Sequence, residues 1–406
     1  MSIIGIVCEF NPLHNGHKYL IDKVKKNKDD IIVAVMSGNF VQRGEPAIFP
    51  KDVRVEAALN AGVDIVLELP FLYATASAEI FAEAAVMILN SFGCDKIAFG
   101  TENSKLEDLY KTADVLVSKQ FDEEIKKNLR SGVNYPTARQ TAFNNYNINC
   151  NLSLPNNILA VEYVKAIRKY NYKITPIPVA RVGAGYNDDF AIDNIASATH
   201  LRKIITRGFD FDEYVPQNIY EIYSDAIKYN RIVSEYKYDI AIMTLLRNNL
   251  NNETDNIANM AEGFENRIKL SIRNCTDLKA IYDSIKTKRY TYSRGRRAVL
   301  SMAFNITKED LKIEPPYIRL LGFRMEKSKK LGKLAGKSNK PFVASYSDIE
   351  KIKGNDAKRV FNFENASTNI YNIALNDSEK CSTEMTYSPI KFKENARKLA
   401  NSLLSV

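Results

Sequence analysis

The fold of this chain is decided by its first predicted strand and the turn after it, Ile3-Ile4-Gly5-Ile6-Val7-Cys8-Glu9-Phe10-Asn11-Pro12-Leu13-His14-Asn15-Gly16-His17. Residues 3–7 form a short, largely β-branched run of the kind found in buried parallel strands. Proline and glycine interrupt any regular pattern at residues 11–16, and apolar residues return at helical spacing at Tyr19, Leu20 and Val24. The sequence therefore predicts a strand, a turn, and a helix that begins close to His17.

The turn carries two of the three histidines in the 406-residue chain. A helix N-terminus offers free N–H groups to an anion, and imidazoles beside it can donate hydrogen bonds to phosphate oxygens as charge builds on a phosphorus under attack. Nucleotidyl transfer depends mostly on positioning and charge stabilisation, so it needs no nucleophilic side chain. We interpret His14 and His17 as catalytic and expect Gly16, which lacks a Cβ, to let the backbone approach a nucleotide. The alternative is a polar turn whose histidines only cap the helix.

Strand and helix patterns alternate through the first half of the chain. Further strands are expected at residues 31–36, 64–69, 96–99 and 174–179, and helices at 51–61 and 77–91. This alternation predicts an α/β fold, a Rossmann-like domain with a parallel sheet whose strands present ligands at their carboxyl ends. Two prolines place the strand at 174–179 toward an edge of the sheet.

Polar residues follow several of these predicted strands. Arg43 lies in a long, glycine-punctuated loop at 37–47, which suits a substrate loop, with a plain surface loop as the alternative. Gly100 follows the strand at 96–99 and is expected to lie under the nucleotide. Asn156 or Asn157 either caps the next helix or contacts the nucleotide.

A second group of candidates suits the phosphates of a nucleotide. Arg181 ends a predicted strand ahead of a Gly-x-Gly turn, and Ser197 and Thr199 open a helix that carries Arg202 in its first turns. Hydroxyl and N–H groups at such a terminus, together with an arginine, would hold phosphate oxygens. The alternative is an ordinary N-cap with an exposed arginine.

The second half of the chain carries the excess of positive charge. Residues 211–406 hold 33 basic and 24 acidic residues, whereas residues 1–210 hold 24 of each. Helical spacing dominates from about residue 212, so we expect a nucleotide-binding domain at 1–210 and a mainly α-helical basic domain at 211–406. A polyanion partner fits this asymmetry. Residues 327–340 are interpreted as a flexible basic loop.

Arginines and tyrosines interleave within this basic half. Guanidinium groups can hold RNA phosphates while aromatic rings stack on unpaired bases, so this pattern suits RNA, with a solvated basic face as the alternative. The RNA-binding candidates are Arg289, Arg294, Arg296 and Arg297.

Composition excludes several other classes of protein. Uninterrupted apolar runs of 18 residues do not occur, and the first residues enter a strand, so neither a membrane span nor a signal peptide is expected. The five cysteines are scattered without a C-x-x-C pair, which argues against a zinc site and a disulfide framework. These features predict a cytoplasmic protein without a protein-bound metal site.

The histidine turn and the Ser/Thr-x-x-Arg helix start resemble the HxGH nucleotidyltransferase superfamily, relatives of the class I tRNA synthetases. A closer resemblance, to the bacterial tRNA(Met) cytidine acetate ligases, covers the whole chain. It rests on three longer stretches, namely residues 9–17, 36–47 (Met-Ser-Gly-Asn-Phe-Val-Gln-Arg-Gly-Glu-Pro-Ala) and 155–163 (Pro-Asn-Asn-Ile-Leu-Ala-Val-Glu-Tyr). Phe10 and Leu13 depart from that family's usual Tyr and Phe.

This resemblance implies an ATP-dependent ligase that activates acetate as acetyl-adenylate and acetylates N4 of the wobble cytidine of elongator tRNA(Met). It implies ATP as substrate, with Mg²⁺, and acetate and elongator tRNA(Met) as partners. Carried over by position, the ATP-binding residues are Ile6, Val7, Cys8, Glu9, Phe10, Asn11, Pro12, Leu13, His14, Asn15, Gly16, His17, Lys18, Tyr19, Gly100, Asn156, Arg181 and Val182. The alternatives are a small-molecule adenylyltransferase of the pantetheine or nicotinate type and a non-catalytic RNA-binding protein.

Overall fold

The computed structural model describes residues 1–102, 105–133, 135–146, 148, 150–152, 154–181, 194–260, 263–287 and 290–394, with the backbone alone at 135 and 136. Its strands are β1 (Ile3–Cys8), β2 (Ile31–Ser37), β3 (Phe40–Val41), β4 (Glu45–Pro46), β5 (Ile65–Leu69), β6 (Lys96–Thr101), β7 (Thr175–Ala180), β8 (Ile318–Arg324), β9 (Phe342–Val343) and β10 (Ile390–Phe392). The five strands expected in the first half are thus present within one or two residues of their predicted bounds.

The helices follow the same order along the chain. They are α1 (Asn15–Val24), α2 (Lys51–Asn60), α3 (Phe71–Ala74), α4 (Ala78–Phe92), α5 (Leu106–Leu116), α6 (Lys119–Arg130), α7 (Tyr135–Asn144), α8 (Pro155–Lys169), α9 (Ala198–Thr206), α10 (Gln217–Lys228), α11 (Glu235–Asn248), α12 (Phe264–Asn274), α13 (Leu278–Ile285), α14 (Tyr292–Ala303), α15 (Ser328–Ala335), α16 (Tyr346–Glu350), α17 (Asp356–Ala374) and α18 (Thr383–Thr386). None of them is both long and apolar enough to cross a bilayer.

The central sheet has the strand order β10-β8-β5-β2-β1-β6-β7, with β9 paired to β8. Its pairings are parallel except for β5 with β8, which run antiparallel. The predicted α/β nucleotidyltransferase fold with a mostly parallel sheet is confirmed. Strand β7 lies at an edge, as its prolines indicate.

Two hydrophobic cores lie on opposite faces of the sheet. Ile31, Val33 and Val35 of β2 pack into one core, and Ile32, Ala34 and Met36 pack into the other. Successive side chains of a strand point to opposite faces, so the uninterrupted apolar run of β2 is explained by burial on both. This sandwich of helices around the sheet fixes the carboxyl ends of the strands, where ligands of such folds bind.

Two features of the second half differ from the sequence-based expectation. Strands β8, β9 and β10 were not predicted, and they extend the sheet past β5. Residues 327–340 are not a loop throughout, because 328–335 form α15, which buries Leu331 and brings Lys330 within 3.4 Å of the Asp29 carboxylate. The division at residue 210 stays a prediction, and the sheet draws strands from both sides of it.

Candidate active site

A cavity of about 430 Å³ lies at the carboxyl ends of β1, β6 and β7. We call it the strand-end cleft. The candidate residues that line it are Ile6, Val7, Cys8, Glu9, Phe10, Asn11, His14, Gly16, His17, Tyr19, Arg43, Gly100, Asn156, Arg181, Ser197, Thr199 and Arg202. Gln42 and Glu45 of the predicted substrate loop also line it, as do residues that the sequence did not single out, among them Phe81, Phe99, Tyr163 and Ser293. The structure therefore brings most of the predicted nucleotide and phosphate candidates into one cavity.

The two histidines are helix caps and also line the cleft. His14 is the N-cap of α1, and its Nδ1 accepts the Gly16 N–H at 3.1 Å. Nδ1 of His17 in turn accepts the His14 N–H at 3.3 Å, and the two ring centroids lie 3.9 Å apart. With each Nδ1 accepting, the hydrogen-bond network assigns the proton of each neutral imidazole to Nε2. Each ring is thus set as a hydrogen-bond donor.

Both imidazoles are held neutral. Burial, together with the positive charge of Arg181, lowers the pKa of His17 to about 3. Burial, His17 and Arg181 lower the pKa of His14 well below its usual value. At neutral pH each ring therefore carries no positive charge and offers a hydrogen-bond donor at Nε2.

A side chain at residue 16 would crowd the first histidine. A Cβ at residue 16 would lie 3.0 Å from Cε1 and 3.1 Å from Nδ1 of His14, and 3.4 Å from Cγ2 of Ile195. Ordinary carbon contacts begin at about 3.5 Å. The ring of His14 lies over the start of α1 and fills the space that a side chain at residue 16 would need. This explains the glycine in the H-x-G-H motif.

The start of α9 forms another wall of the cleft. Ser197 is its N-cap, with Oγ accepting the His200 N–H at 3.1 Å. Arg202 donates from Nη1 to the Asn11 carbonyl at 2.8 Å and from Nη2 to Oγ1 of Thr199 at 3.3 Å. The capping alternative is therefore correct for Ser197, and Arg202 is tied to the turn after β1. Both residues nevertheless line the same cavity as the histidines.

The two asparagines at the start of α8 are now distinguished. Asn157 is buried, and its Oδ1 accepts the Glu102 N–H at 3.0 Å, so its side chain braces the end of β6. Asn156 lines the cleft and donates to the Glu102 carboxylate. Gly100 also lines the cleft, and a Cβ there would lie 3.3 Å from Cγ of Arg181.

The remaining ATP candidates from the first turn point elsewhere. The N–H of Leu13 donates to the Tyr223 hydroxyl at 2.9 Å, and Lys18 forms an ion pair with Asp22. Asn15 donates to the carbonyls of residues 194 and 213, each at 2.9 Å. Pro12, Leu13, Asn15 and Lys18 are absent from the cleft lining. Val182 and Arg289 lie outside the described residues.

The loop at 37–47 joins the cleft to the arginine-bearing helix α14. Glu45 forms an ion pair with Arg296, and Nη1 of Arg297 donates to the Gln42 carbonyl at 3.4 Å. Gly44 has φ +73°, and a Cβ at this residue would lie 3.0 Å from the backbone nitrogen of Arg297. The RNA-binding candidates are therefore not a separate surface, because two of them contact the loop that carries Arg43.

Positive charge accumulates where this loop meets α14. Burial and Arg294 lower the pKa of Arg297 to about 10, and burial and Arg43 lower the pKa of Arg296. Arg294 stacks over the Tyr290 ring at 4.5 Å. An anion at this position would relieve the repulsion among the guanidinium groups.

A buried charge cluster supports the loop from behind. Nζ of Lys51 lies 2.6 Å from Glu68, 3.2 Å from Glu364 and 2.5 Å from Glu384, and Nη1 of Arg319 lies 2.9 Å from Glu68 and 2.6 Å from Glu384. Carboxylate oxygens of Glu68, Glu364 and Glu384 lie within 4.8 Å of one another, as a metal site would require, but the two cations already occupy the space among them.

The pKa values of two carboxyl groups in this cluster are shifted in opposite directions. Burial and the neighbouring Glu68 raise the pKa of Glu364, and Lys51 and Arg319 lower the pKa of Glu384. A Cβ on Gly38 would lie 2.5 Å from Oε1 of Glu364, so the cluster touches the substrate loop directly. Its partners come from both halves of the chain, and no local motif signals it.

A model of the HIGH Nucleotidyl Transferase family matches residues 1–386. A tRNA(Met) cytidine acetate ligase of Acetivibrio thermocellus is 36% identical over 393 residues, covering 91% of this chain and 94% of that protein. A Geobacillus protein of the same name is 38% identical over 368 residues, covering 86% and 90%.

Two crystal structures of Thermotoga maritima TmcAL match the fold. The apo form has a TM-score of 0.89, and the form bound with alpha-thio ATP has a TM-score of 0.87. Each is 29% identical and covers 97% of this chain and 100% of the solved chain. The similarity in sequence and shape extends over nearly the whole length.

Proposed function

Because this chain belongs to the tRNA(Met) cytidine acetate ligase family of HIGH nucleotidyl transferases and is an ATP-dependent ligase, we propose that it activates acetate as acetyl-adenylate. The acetyl group then passes to N4 of the wobble cytidine of elongator tRNA(Met), giving N4-acetylcytidine. The observation that carries this proposal is the pair of neutral, Nε2-donating imidazoles in a cleft of nucleotide size.

In the first step the acetate carboxylate attacks the α-phosphorus of ATP and pyrophosphate leaves. His14 and His17 donate from Nε2 to the phosphate oxygens that gain charge in the transition state. Arg181 and Arg202, which line the same cleft, hold the departing phosphates. Each group acts by position and charge, which is sufficient for this class of reaction.

The loop at 38–47 supplies part of the acyl-adenylate pocket. Arg43 lines the cleft together with Gln42 and Glu45, and its guanidinium attracts the acetate carboxylate. Acetate presents only a methyl group and a carboxylate, so selectivity must come from the size of this pocket. One extra methylene is worth about 1–3 kcal/mol in such sites, so propionate should be used about 10–200-fold less efficiently.

Elongator tRNA(Met) binds across the basic second half. Support comes from the charge excess of residues 211–406 and from the position of α14, since Ser293 lines the cleft and Arg294, Arg296 and Arg297 follow it on the same helix. A backbone phosphate held there would bring the neighbouring nucleotide to the cleft mouth. Residues 1–210 would then carry activation and residues 211–406 recognition, joined at the loop.

Mg²⁺ accompanies ATP in this proposal as its phosphate-bound counter-ion. Among the described residues the phosphate side of the cleft offers Arg181, Ser197, Thr199 and Arg202 and no carboxylate. These residues do not form a protein-held Mg²⁺ site.

The test is mass spectrometry of tRNA nucleosides after incubation with ATP, labelled acetate and elongator tRNA(Met). Labelled N4-acetylcytidine, with AMP and pyrophosphate as co-products, is expected. A transcript with uridine at the wobble position is the matched control, because uridine lacks the exocyclic amine. Formation of ADP, or transfer of AMP to a pantetheine or nicotinate substrate without acetate, would overturn the proposal.

A further inference from the structure

Acetyl transfer to the cytidine amine, on which this inference rests, requires a proton acceptor. The N4 amine loses a proton as it forms a bond to the acetyl carbon, and the acetyl carbon–oxygen bond to AMP breaks. AMP leaves with that electron pair and needs no proton at neutral pH. A base that contacts the amine is therefore the missing part of the second step.

The histidines do not fit this role. Nδ1 of each ring already accepts a backbone N–H, and Nε2 carries the proton. Their lowered pKa values also make both rings poor bases.

Other titratable groups of the cleft are equally unsuited. The Cys8 thiol is buried and donates to the Val35 carbonyl at 3.8 Å, and burial raises its pKa well above the ordinary value. Burial likewise raises the pKa of the Tyr163 hydroxyl. Glu45 is paired with Arg296. Among the described residues that line the cleft, the carboxylate left for this role is that of Glu9.

Glu9 is held firmly at the carboxyl end of β1. Its backbone carbonyl accepts Nη1 of the fully buried Arg54 at 2.6 Å, and its Oε1 accepts the Gln42 N–H at 2.9 Å. Within the described part of the chain, Oε2 has no hydrogen-bond partner. One oxygen is thus anchored to the substrate loop and the other is not, in a residue that lines the cleft of the histidine pair.

We infer that Glu9 is the general base of acetyl transfer. Its Oε2 takes the N4 proton as the carbon–nitrogen bond forms, and it releases that proton to solvent after AMP has left. Gln42 contacts Glu9 through its N–H and Arg297 through its carbonyl. The same loop residue therefore positions both the proposed base and an RNA-binding candidate of α14.

The test uses Glu9→Gln in the full chain, because glutamine keeps an oxygen that can accept the Gln42 N–H and loses only the basicity. Acetate-dependent ATP–pyrophosphate exchange reports adenylation, and single-turnover transfer from the preformed adenylate complex to tRNA reports the second step. We expect transfer to fall by about 10²–10⁴, as for loss of a general base, and to fall at least about tenfold more than exchange does. Glu79→Gln, which removes a carboxylate outside the cleft, is the matched control.

The difference between the losses in exchange and in transfer separates a base from a merely structural carboxylate, because a damaged cleft would lower both rates. Equal losses in exchange and transfer, or unchanged transfer, would overturn the assignment of Glu9. Exchange without any acetylcytidine in the unmodified chain would instead overturn the proposed function.

Discussion

Replacing Gly16 by alanine tests the geometry of the histidine pair without removing either imidazole. The added Cβ would lie 3.0 Å from Cε1 of His14, so the ring has to move by roughly 0.5 Å to reach ordinary contact. It has little room to do so, because it is buried and lies 3.9 Å from the His17 ring. A displacement of about 1 Å in a catalytic constellation costs about 10²-fold in rate. We therefore expect acetate-dependent exchange to fall by about 10–100-fold.

The matched control is Gly332→Ala in α15, where a Cβ meets nothing within 4 Å. Gly332→Ala gains helix propensity of about 0.5–1 kcal/mol, whereas crowding of the buried His14 ring in Gly16→Ala costs about 1–3 kcal/mol, which is less than the stability of a typical folded chain. Exchange and the urea midpoint are measured for both variants. Exchange at the unmodified rate in Gly16→Ala would refute the claim that the pose of His14 limits the reaction, as would an equal loss in the control.

Two further predictions concern charge. The rate of exchange should show no inflection near pH 6.5, because His17 has a pKa of about 3 and stays neutral. The free energy of unfolding should fall as the pH drops below 6.5, because the histidines gain protons there in the unfolded chain while the lowered pKa values keep them neutral in the folded one. An inflection at 6–7 that His17→Asn removes would contradict this. Lys51→Met should lower the free energy of unfolding by about 3–5 kcal/mol, because it leaves buried carboxylates with one cation, whereas Lys312→Met removes only an exposed pair and should change it by less than about 1 kcal/mol. Similar urea midpoints for the two lysine variants would show that the buried ion pairs of Lys51 do not stabilise the fold.

The sequence predicts the first half of the fold well because its signals are local. Buried parallel strands appear as contiguous apolar runs, and β2 is buried along its full length. Residues that follow such strands meet at one edge of the sheet whatever their distance along the chain, which is why Arg181 and Arg202 share the cleft with His14. The cap of α9 is also a local feature, since Ser197 caps a helix that starts one residue later, as the alternative interpretation of this stretch has it.

Strand β8 and the charge cluster could not be predicted in this way. Arg319 and Arg324 are buried within β8, whereas arginine normally signals an exposed position. Their burial depends on distant partners, such as Glu68 and Glu384 for Arg319. Glu9 lies in the stretch predicted to bind ATP, but its proposed role as a base could not be predicted, because its anchor to the Gln42 N–H appears only in the fold.

The antiparallel pairing of β5 with β8 has a consequence for how the chain is made. Glu68 and Arg319 are separated by 251 residues in sequence, so synthesis at about 5–20 residues per second leaves β5 without its neighbour for on the order of 10–50 s. During that interval the strand presents unpaired N–H and C=O groups at the edge of a nascent sheet, a template for joining another chain. A ribosome-bound chain that has not yet reached residue 318 is thus the form most exposed to aggregation. Completion of the second half closes this edge from within the same molecule.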